Sequence, residues 1–596
     1  MHTQLLWPHW KSTRYKTDCT DYDPDAAIKS YLNPVPKFPA YDDAWHKQVE
    51  SEVESYLMEP HKADPPFNRE EMNTALSIPT SKILNAPGDD EIRNILLIEE
   101  LSDALLILMN FIMLHLVKPF IWGVARILFI PKDSASANVS EMRPISLLCV
   151  TSKLFERLLL PRFLKLIVPK LSRYQFVFLK DLSAIDALNL LKKRIHDCLS
   201  RSSKGKPFLF LDIKKAYDGT WIKGLLHKMM KMGLPLFYIK LINIWLENRF
   251  VYAKSGTKQS SWYRILRGLP QGGVLCCILW AIFINDLPEC VKLLCECLLF
   301  ADDVQLSALK GGQEGISQLQ AATVAVCRWA NKWRVAWSVI KSVFMCVNIR
   351  VPAPFSLYGI VLKEVAFVKY LGIIYSNDGT WNLHWESKIT KAKQVSNLIQ
   401  KFAVNSSVTV PAAFIALLCR QVLQSMLFYG FPVWSPPESQ FSSADNIVIK
   451  PFSKAIGCPW NAGSNVCLTE AGLMPTAFFW DYSALQYGHQ FFRLRTAKRI
   501  GSAEVLNEYN AKICQPLVRG VSPFGSFLKW LEKSWGVSLV QLNKNILKKS
   551  RHRMFKKFLH TYNCTSSLAL LQFRRSLFAI PGYLPVFTRH ASSDSV

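Results

Sequence analysis

No stretch of this chain is apolar for long enough to cross a bilayer. The longest apolar run, Ala104 to Val117, contains Asn110 and His115 and is closed by Lys118 and Pro119. It falls short of the roughly 20 residues that span about 30 Å of hydrocarbon, so it reads as a buried helix. Met1 to Lys16 lacks the apolar core of a secretory signal. Cysteine is present but unpatterned. Cys276-Cys277 and Cys295-x-Cys297 lie inside apolar stretches, and no C-x2-C pair is followed by His or Cys at zinc spacing. That excludes a zinc knuckle and gives no disulfide framework; free buried thiols in a reducing compartment are the reading. No internal repeat is visible. Acidic charge is the other shortage: 45 Asp and Glu stand against 72 Lys and Arg, a formal +27. Such a surplus points to a polyanionic partner, because each phosphate neutralised releases a condensed counterion. A membrane surface would call for a dominant basic amphipathic helix, which the chain lacks.

What is present is a globular composition, half apolar and a fifth charged, on a chain long enough for several domains. Residues 1–60 are Pro-punctuated and without clear periodicity, and read as a variable tail, disordered in part or used for docking. From Pro66 to Leu116 the pattern is helical, broken by the turn Asn85-Ala-Pro-Gly-Asp-Asp-Glu-Ile92. Ala125 to Pro131 predicts a short buried strand, and Ser152–Leu166 and Ile185–Leu199 predict helices. Phe208 to Ile213 is a continuous apolar run holding Asp212, as a central strand would be. Leu298 to Ala308 predicts a hairpin about a tight acidic turn. Past Tyr370-Leu-Gly-Ile373 the chain reads as mainly helical to about residue 500.

Two of these segments bring carboxylates out of apolar strands. A lone Asp at a strand end is usually a cap, and a lone Asp-Asp turn is usually solvated. Here Phe210-Leu-Asp-Ile-Lys-Lys-Ala-Tyr-Asp218 is followed by Arg267-Gly-Leu-Pro-Gln-Gly-Gly-Val274 and then Phe300-Ala-Asp-Asp303. Acid, Gly-rich loop, acid is the order a nucleotidyl transferase needs. Two Mg²⁺ ions about 3.5–4 Å apart stabilise the attacking and leaving oxygens, and a few carboxylates from separate strands suffice to hold them. Without cations the same carboxylates would repel one another.

FLDIKKAYD, RGLPQGGVL and FADDVQL in that order resemble the palm motifs of reverse transcriptases. The flanking segments resemble the LINE-type (non-LTR) retrotransposon enzymes, of the jockey-like kind. NAPGDDEI is similar to their APGPDGI turn, WGVARILFIPK (Trp122 to Lys132) to the strand opening their fingers, and MRPISLLCVTSKLFER (Met142 to Arg157) to their nucleotide-facing segment. YQFVFLKDLSAIDAL (Tyr174 to Leu188) resembles the next block, KYLGI (Lys369 to Ile373) the primer-grip turn, and YGFPVW (Tyr429 to Trp434) the thumb and its exit.

The resemblance implies an α+β right-hand polymerase with fingers, palm and thumb and an added helical C-terminal region. The expected division is a tail over 1–60, a helical lead-in over 61–120, fingers and palm over 121–375, thumb over 376–450 and a basic helical region over 451–596. The implied activity is RNA-directed DNA synthesis with two Mg²⁺ ions, Mn²⁺ as substitute, and with RNA template, DNA primer or target and dNTPs as partners, and no membrane. Asp212 and Asp302 would hold both ions, Asp303 less directly because adjacent strand residues face opposite ways, and Ile213 would offer its carbonyl. Tyr217 would be the gate that excludes a 2′-hydroxyl; core packing is the plainer reading of that ring. Gln271 and Gly272 would let backbone approach the incoming base and template. Lys132 and Arg143 would meet the triphosphate, and Lys341 would protonate pyrophosphate; both lysines also fit an ordinary surface.

Several positions depart from the family pattern. Cys276-Cys277 stands where Ser-Pro is usual, Trp280 where Phe is common, Val177 for a glycine, Leu179 for an arginine, Ser338 for an asparagine and Asn85 for a lysine. None removes a carboxylate. Nothing resembles the family's endonuclease, zinc knuckle or RNase H segments, so the expectation is a truncated or degraded copy working in nucleus or cytoplasm as a ribonucleoprotein and not secreted. Lys544 to Lys557 carries Lys548, Lys549, Arg551, Arg553, Lys556 and Lys557 beside Phe555 and Phe558, which fits a nucleic-acid-binding patch and equally a solvated helix face. The rival reading in another class is a catalytically inactive, retrotransposon-derived nucleic-acid-binding remnant.

Overall fold

The computed structural model describes residues 23–483, except 33–42, 78–85, 95–98, 132–141, 178–181, 201–202, 256, 353, 406–409, 432, 435, 437, 459–466, 469–470, 477–478 and 480–482. The chain divides into two compact units, Met1–Leu182 with Lys206–Glu364, and Ser183–Gly205 with Val365–Val596. Helices and sheets are mixed, and no described helix is long and apolar enough to cross a membrane.

In the first unit the strands are β1 (Val124–Pro131), β2 (Met142–Leu147), β3 (Lys206–Asp212), β4 (Arg249–Ser255), β5 (Lys258–Gln259), β6 (Tyr263–Ile265), β7 (Cys295–Phe300), β8 (Asp303–Ala308) and β9 (Val343–Val347). The helices that matter below are α1 (Pro24–Leu32), α2 (Asp43–Met58), α3 (Val150–Ile167), α4 (Cys276–Ile284) and α5 (Gly312–Lys332).

One sheet runs β2-β1-β4-β5 with β6 also on β4; the β1–β4 pair is parallel and the rest antiparallel. Strand alternation sorts its residues. Ala125, Ile127, Phe129, Val251 and Ala253 form a small core with Ala27 and Ile28 of α1, while Arg126, Leu128, Phe250 and Tyr252 take the opposite face.

The second sheet has the order Lys363–Glu364, β9, β3, β8, β7, so β3 is central, as its unbroken apolar run predicts. Leu209, Leu211, Val304 and Leu306 join the main core on one face. The register pairs Phe208 with Ser307, Phe210 with Gln305 and Asp212 with Asp303 on the other. Helix α4 is apolar on every side and buried on nearly every side, so it serves as the post about which the acidic turn and the Gly-rich loop are set.

The N-terminal segment differs from the expected tail: α1 and α2 are both helices within the first unit. The buried side chains of α2 are His46, Val49 and Val53, a stripe too narrow to stand out in a polar sequence. Tertiary bonds supplement it, His46 Nε2 to the Lys332 carbonyl at 3.0 Å and Glu52 to His227 at 3.1 Å. Val177, which stands for a family glycine, is not among the residues with positive φ, so the side chain adds no backbone strain there.

The second unit contains helices Ala184–Leu199, Asn382–Asn405 and Phe441–Ala455 and the hairpin Phe367–Tyr370/Ile373–Ser376. Leu371 and Gly372 at its tip have φ of 45° and 84°, both left-handed, as a two-residue hairpin turn requires. The Tyr429 hydroxyl donates to the Leu371 carbonyl at 3.1 Å and fixes that turn.

Candidate active site

Strand β3 ends on Asp212 and β8 begins on Asp303, directly opposite in the antiparallel ladder. Directly opposed residues have Cβ atoms about 4.5–5.5 Å apart on one face. Asp303, expected from alternation to be the less direct ligand, is therefore the cross-strand neighbour of Asp212. Asp302 occupies the turn between β7 and β8. Burial, then Asp302, then Asp212 push the Asp303 carboxyl up to about 6, with Lys341 opposing. Three acids thus act on one another electrostatically, the situation that cations relieve. The Lys341 ammonium lies 3.7 Å from Asp212 Oδ1.

The acidic turn is held from behind. Ala301 takes a left-handed φ of 55°, and the buried Trp280 indole donates to its carbonyl at 2.9 Å. The tryptophan that stands where the family favours phenylalanine therefore supplies a hydrogen bond that phenylalanine could not. On the β3 side, Asp212 O accepts from Ser338 N–H at 2.8 Å and Lys214 N–H donates to Ala336 O at 2.9 Å. That bridge leaves the Ile213 carbonyl out of its pairing.

Tyr217 is half-buried, its ring 5.7 Å from that of Trp280. Burial, then Cys277 and Asp302, raise its phenol well above the ordinary range. Its carbonyl accepts from Leu269 N–H at 2.7 Å, which ties the turn after β3 to the Gly-rich loop. In that loop Gly272 has φ 137°, and a Cβ there would lie 2.5 Å from the Ser146 carbonyl oxygen. Ser146 N–H in turn donates to the Gln271 carbonyl at 2.7 Å, joining loop to β2. The Cys276 thiol donates to Pro270 O at 2.9 Å, as a serine hydroxyl would. Arg143 is exposed on β2, in register with Ile130. Lys132, Lys548, Lys549, Arg551, Arg553, Lys556 and Lys557 lie outside the described residues.

Two acids, one half-buried and one buried, escaped the sequence reading of roles. Asp218 accepts from Gln271 Nε2 at 2.8 Å and from the Tyr31 hydroxyl at 3.3 Å; burial raises its carboxyl to about 6. Glu156 is 1% exposed and accepts from Leu275 N–H at 2.8 Å, capping the start of α4. Burial pushes it up to about 7, against the loop N–H groups of Leu275 and Val274. Its signal was legible: Ser152, Phe155, Glu156, Leu159 and Phe163 form one buried stripe of α3, with a carboxylate in its middle.

Residues 130–375, which hold the strands, the loop and the acidic turn, match the family described as reverse transcriptase (RNA-dependent DNA polymerase). They are a reverse transcriptase domain. The reverse transcriptase relatives are of the LINE type that the motifs suggested. The RNA-directed DNA polymerase from mobile element jockey of Drosophila melanogaster is 27% identical over 445 residues, 69% of this chain and 46% of that protein. The probable RNA-directed DNA polymerases of transposons X-element and BS, from the same fly, are each 26% identical, over 63% and 66% of this chain and 42% and 45% of theirs. The chain thus spans less than half the length of these reverse transcriptase relatives. A solved telomerase from Candida albicans with a fragment of telomeric RNA aligns at 14% identity and a TM-score of 0.30, over 58% of this chain and 61% of that one.

Proposed function

We propose that the chain is the RNA-directed DNA polymerase of a non-LTR retrotransposon, extending a primer 3′-hydroxyl with dNTPs on an RNA template. In this reading β3, β7, β8 and β9 form the palm, β1, β2 and β4 the fingers, and helices of the second unit the thumb. The observation that carries it is the register: Asp212 opposite Asp303, with Asp302 on the adjoining turn.

These carboxylates fit divalent cations. They are hard oxygen donors, and at Asp303 burial first, then the neighbouring Asp302 and Asp212, disfavour the charged form. Among the described residues no three acidic, His or Cys side chains stand close enough together to hold a metal ion by themselves, so Mg²⁺ here would need substrate phosphate and water as further ligands. Asp212, Asp302, Asp303 and the Ile213 carbonyl would hold two Mg²⁺, with Mn²⁺ accepted by the same oxygens. Bound there, the ions would favour the 3′-alkoxide and neutralise charge on the departing pyrophosphate.

The reaction joins the primer 3′-oxygen to the α-phosphorus and releases pyrophosphate. Lys341, 3.7 Å from Asp212, would give that leaving group a proton. Arg143 would meet the triphosphate, with Lys132. Tyr217 would lie under the sugar, and Asp218 would aim the Gln271 amide at the nascent pair. With an RNA template and a DNA target, this work would be done in nucleus or cytoplasm, in a ribonucleoprotein.

Primer extension on a homopolymer RNA template, with binding measured beside it, tests the reading. Asp302→Asn is expected to abolish extension while RNA binding survives. Extension by Asp302→Asn at the parent rate would retire the assignment. Binding with no extension by the parent would leave the nucleic-acid-binding remnant.

A further inference from the structure

We propose that the face of the β2-β1-β4-β6 sheet turned away from α1 is a platform for single-stranded nucleic acid, with bases stacking on Trp262 and Phe120. The proposal needs no turnover, so it stands apart from the polymerase reading.

Strand β4 sends Val251 and Ala253 into the α1 core, so Phe250, Tyr252 and Lys254 take the other face. There the rings assemble into a row. Tyr252 and Trp262 stack with centroids 6.0 Å apart and planes 16° off parallel. Trp262 and Phe120 follow at 6.4 Å and 22°, and Phe120 reaches Phe250 at 5.8 Å. The row begins inside the protein, where Tyr252 is 6% exposed and its hydroxyl donates to Asp89. It ends in solvent, with Trp262 45% and Phe120 61% exposed. Rings already held near-parallel, with open faces at one end, are pre-organised to accept another flat π-system.

Charge selects the occupant. The register sets Arg264 opposite Phe250 and Arg126 opposite Tyr252, and Lys254 is the next same-face position of β4. Asp89 and Glu91 are the acids that act on the buried end, Asp89 engaged by the Tyr252 hydroxyl. Exposed aromatics on a sheet, interleaved with cations, suit bases above and phosphates beside them. A lipid surface would call for an apolar face without interleaved arginines. The platform is also coupled to the Gly-rich loop, because β2 beside it donates from Ser146 N–H to Gln271 O at 2.7 Å. Stacking is indifferent to the 2′-hydroxyl, so RNA and DNA single strands should bind alike.

Fluorescence anisotropy of the full chain with labelled oligo(rU) and oligo(dT) 20-mers, across a salt series, tests this. Removing both rings (Phe120→Ala with Trp262→Ala) should weaken binding to both strands by on the order of tenfold per ring, with the salt slope unchanged. Arg264→Gln should instead flatten the slope by about one phosphate contact. Phe120→Leu with Trp262→Leu keeps apolar bulk without a π-face, and should weaken binding as much as the alanines do. A 5-iodouridine oligonucleotide should photocrosslink at Trp262. Parent-like binding by the leucine pair, whatever the alanine pair does to folding, would overturn the proposal and leave the rings as a protein contact; so would crosslinks that map only elsewhere. A parent that binds but does not polymerise would count against the polymerase reading alone.

Discussion

Trp280 shows how one side chain can serve the core and the site together. Its ring packs beside Tyr217 and its N–H holds the carbonyl of the left-handed Ala301, one residue before Asp302. Trp280→Phe keeps most of the volume and orphans that carbonyl, which should cost about 1–3 kcal/mol in a urea melt and lower kcat with little change in KM for dNTP. Unchanged kinetics would make the bond structural only. Tyr217→Ala separates two roles in the same way. As a gate, its loss should admit ribonucleotides while deoxyribonucleotides are still used, because the discrimination is steric. As packing, its loss lowers the melting temperature and leaves sugar preference alone; steady-state incorporation of dNTP and rNTP beside a melting curve separates the two. Glu156 carries a pH signature. Its folded pKa of about 7 lies above the usual glutamate value of about 4.3. Between those values the folded state holds a proton that the unfolded chain releases, so stability falls as pH rises through the window. Glu156→Gln keeps an acceptor for Leu275 N–H without the charge. It should flatten that slope and be the more stable protein at pH 8, by about 3–4 kcal/mol. Equal slopes in urea melts at pH 5 and 8 would argue that the carboxyl titrates normally.

At the scale of elements, the strands that carry the three acids were legible because apolar runs met acids: Phe208 to Ile213 covers most of β3 and its bridge residue, and Leu298 to Ala308 falls within the β7–β8 hairpin. What the sequence alone did not carry was register. Strand alternation read from the sequence separates Asp302 from Asp303, but only pairing with β3 reveals that Asp303 faces Asp212. Asp218 was obscured for a related reason, since it becomes distinctive only once the Gln271 amide is seen to bond it, whereas Glu156 was open to view as a carboxylate inside an apolar helix stripe. Helix α2 was missed because its apolar stripe is thin and its neighbours support it. The Gly-rich loop yields a further test. Gly272→Ala would put a methyl against Ser146 O and a side chain at φ 137°. The shift this forces on Gln271 should cost about 10²-fold in extension rate, with global stability changed far less. Full activity in Gly272→Ala would show that the loop adapts.

For the molecule as a whole, the formal +27 makes affinity an ionic quantity. If about six phosphates are neutralised on a single strand, RNA affinity should drop by roughly 10²–10³ between 50 and 200 mM salt. A flat salt series would contradict the phosphate-dominated binding the composition suggests. The ladder that pairs Asp212 with Asp303 also bears on how a copy of such a gene can decay. The same ladder turns Val304 and Leu306 into the main core and Gln305 and Ser307 away from it. A slip of one residue would drive an acid, an amide and a hydroxyl into that core and collapse the sheet along with the centre. Mutational drift therefore has no gradual route to inactivity through this sheet. It can erase a carboxylate, or spoil the loop, and leave behind a protein that still folds.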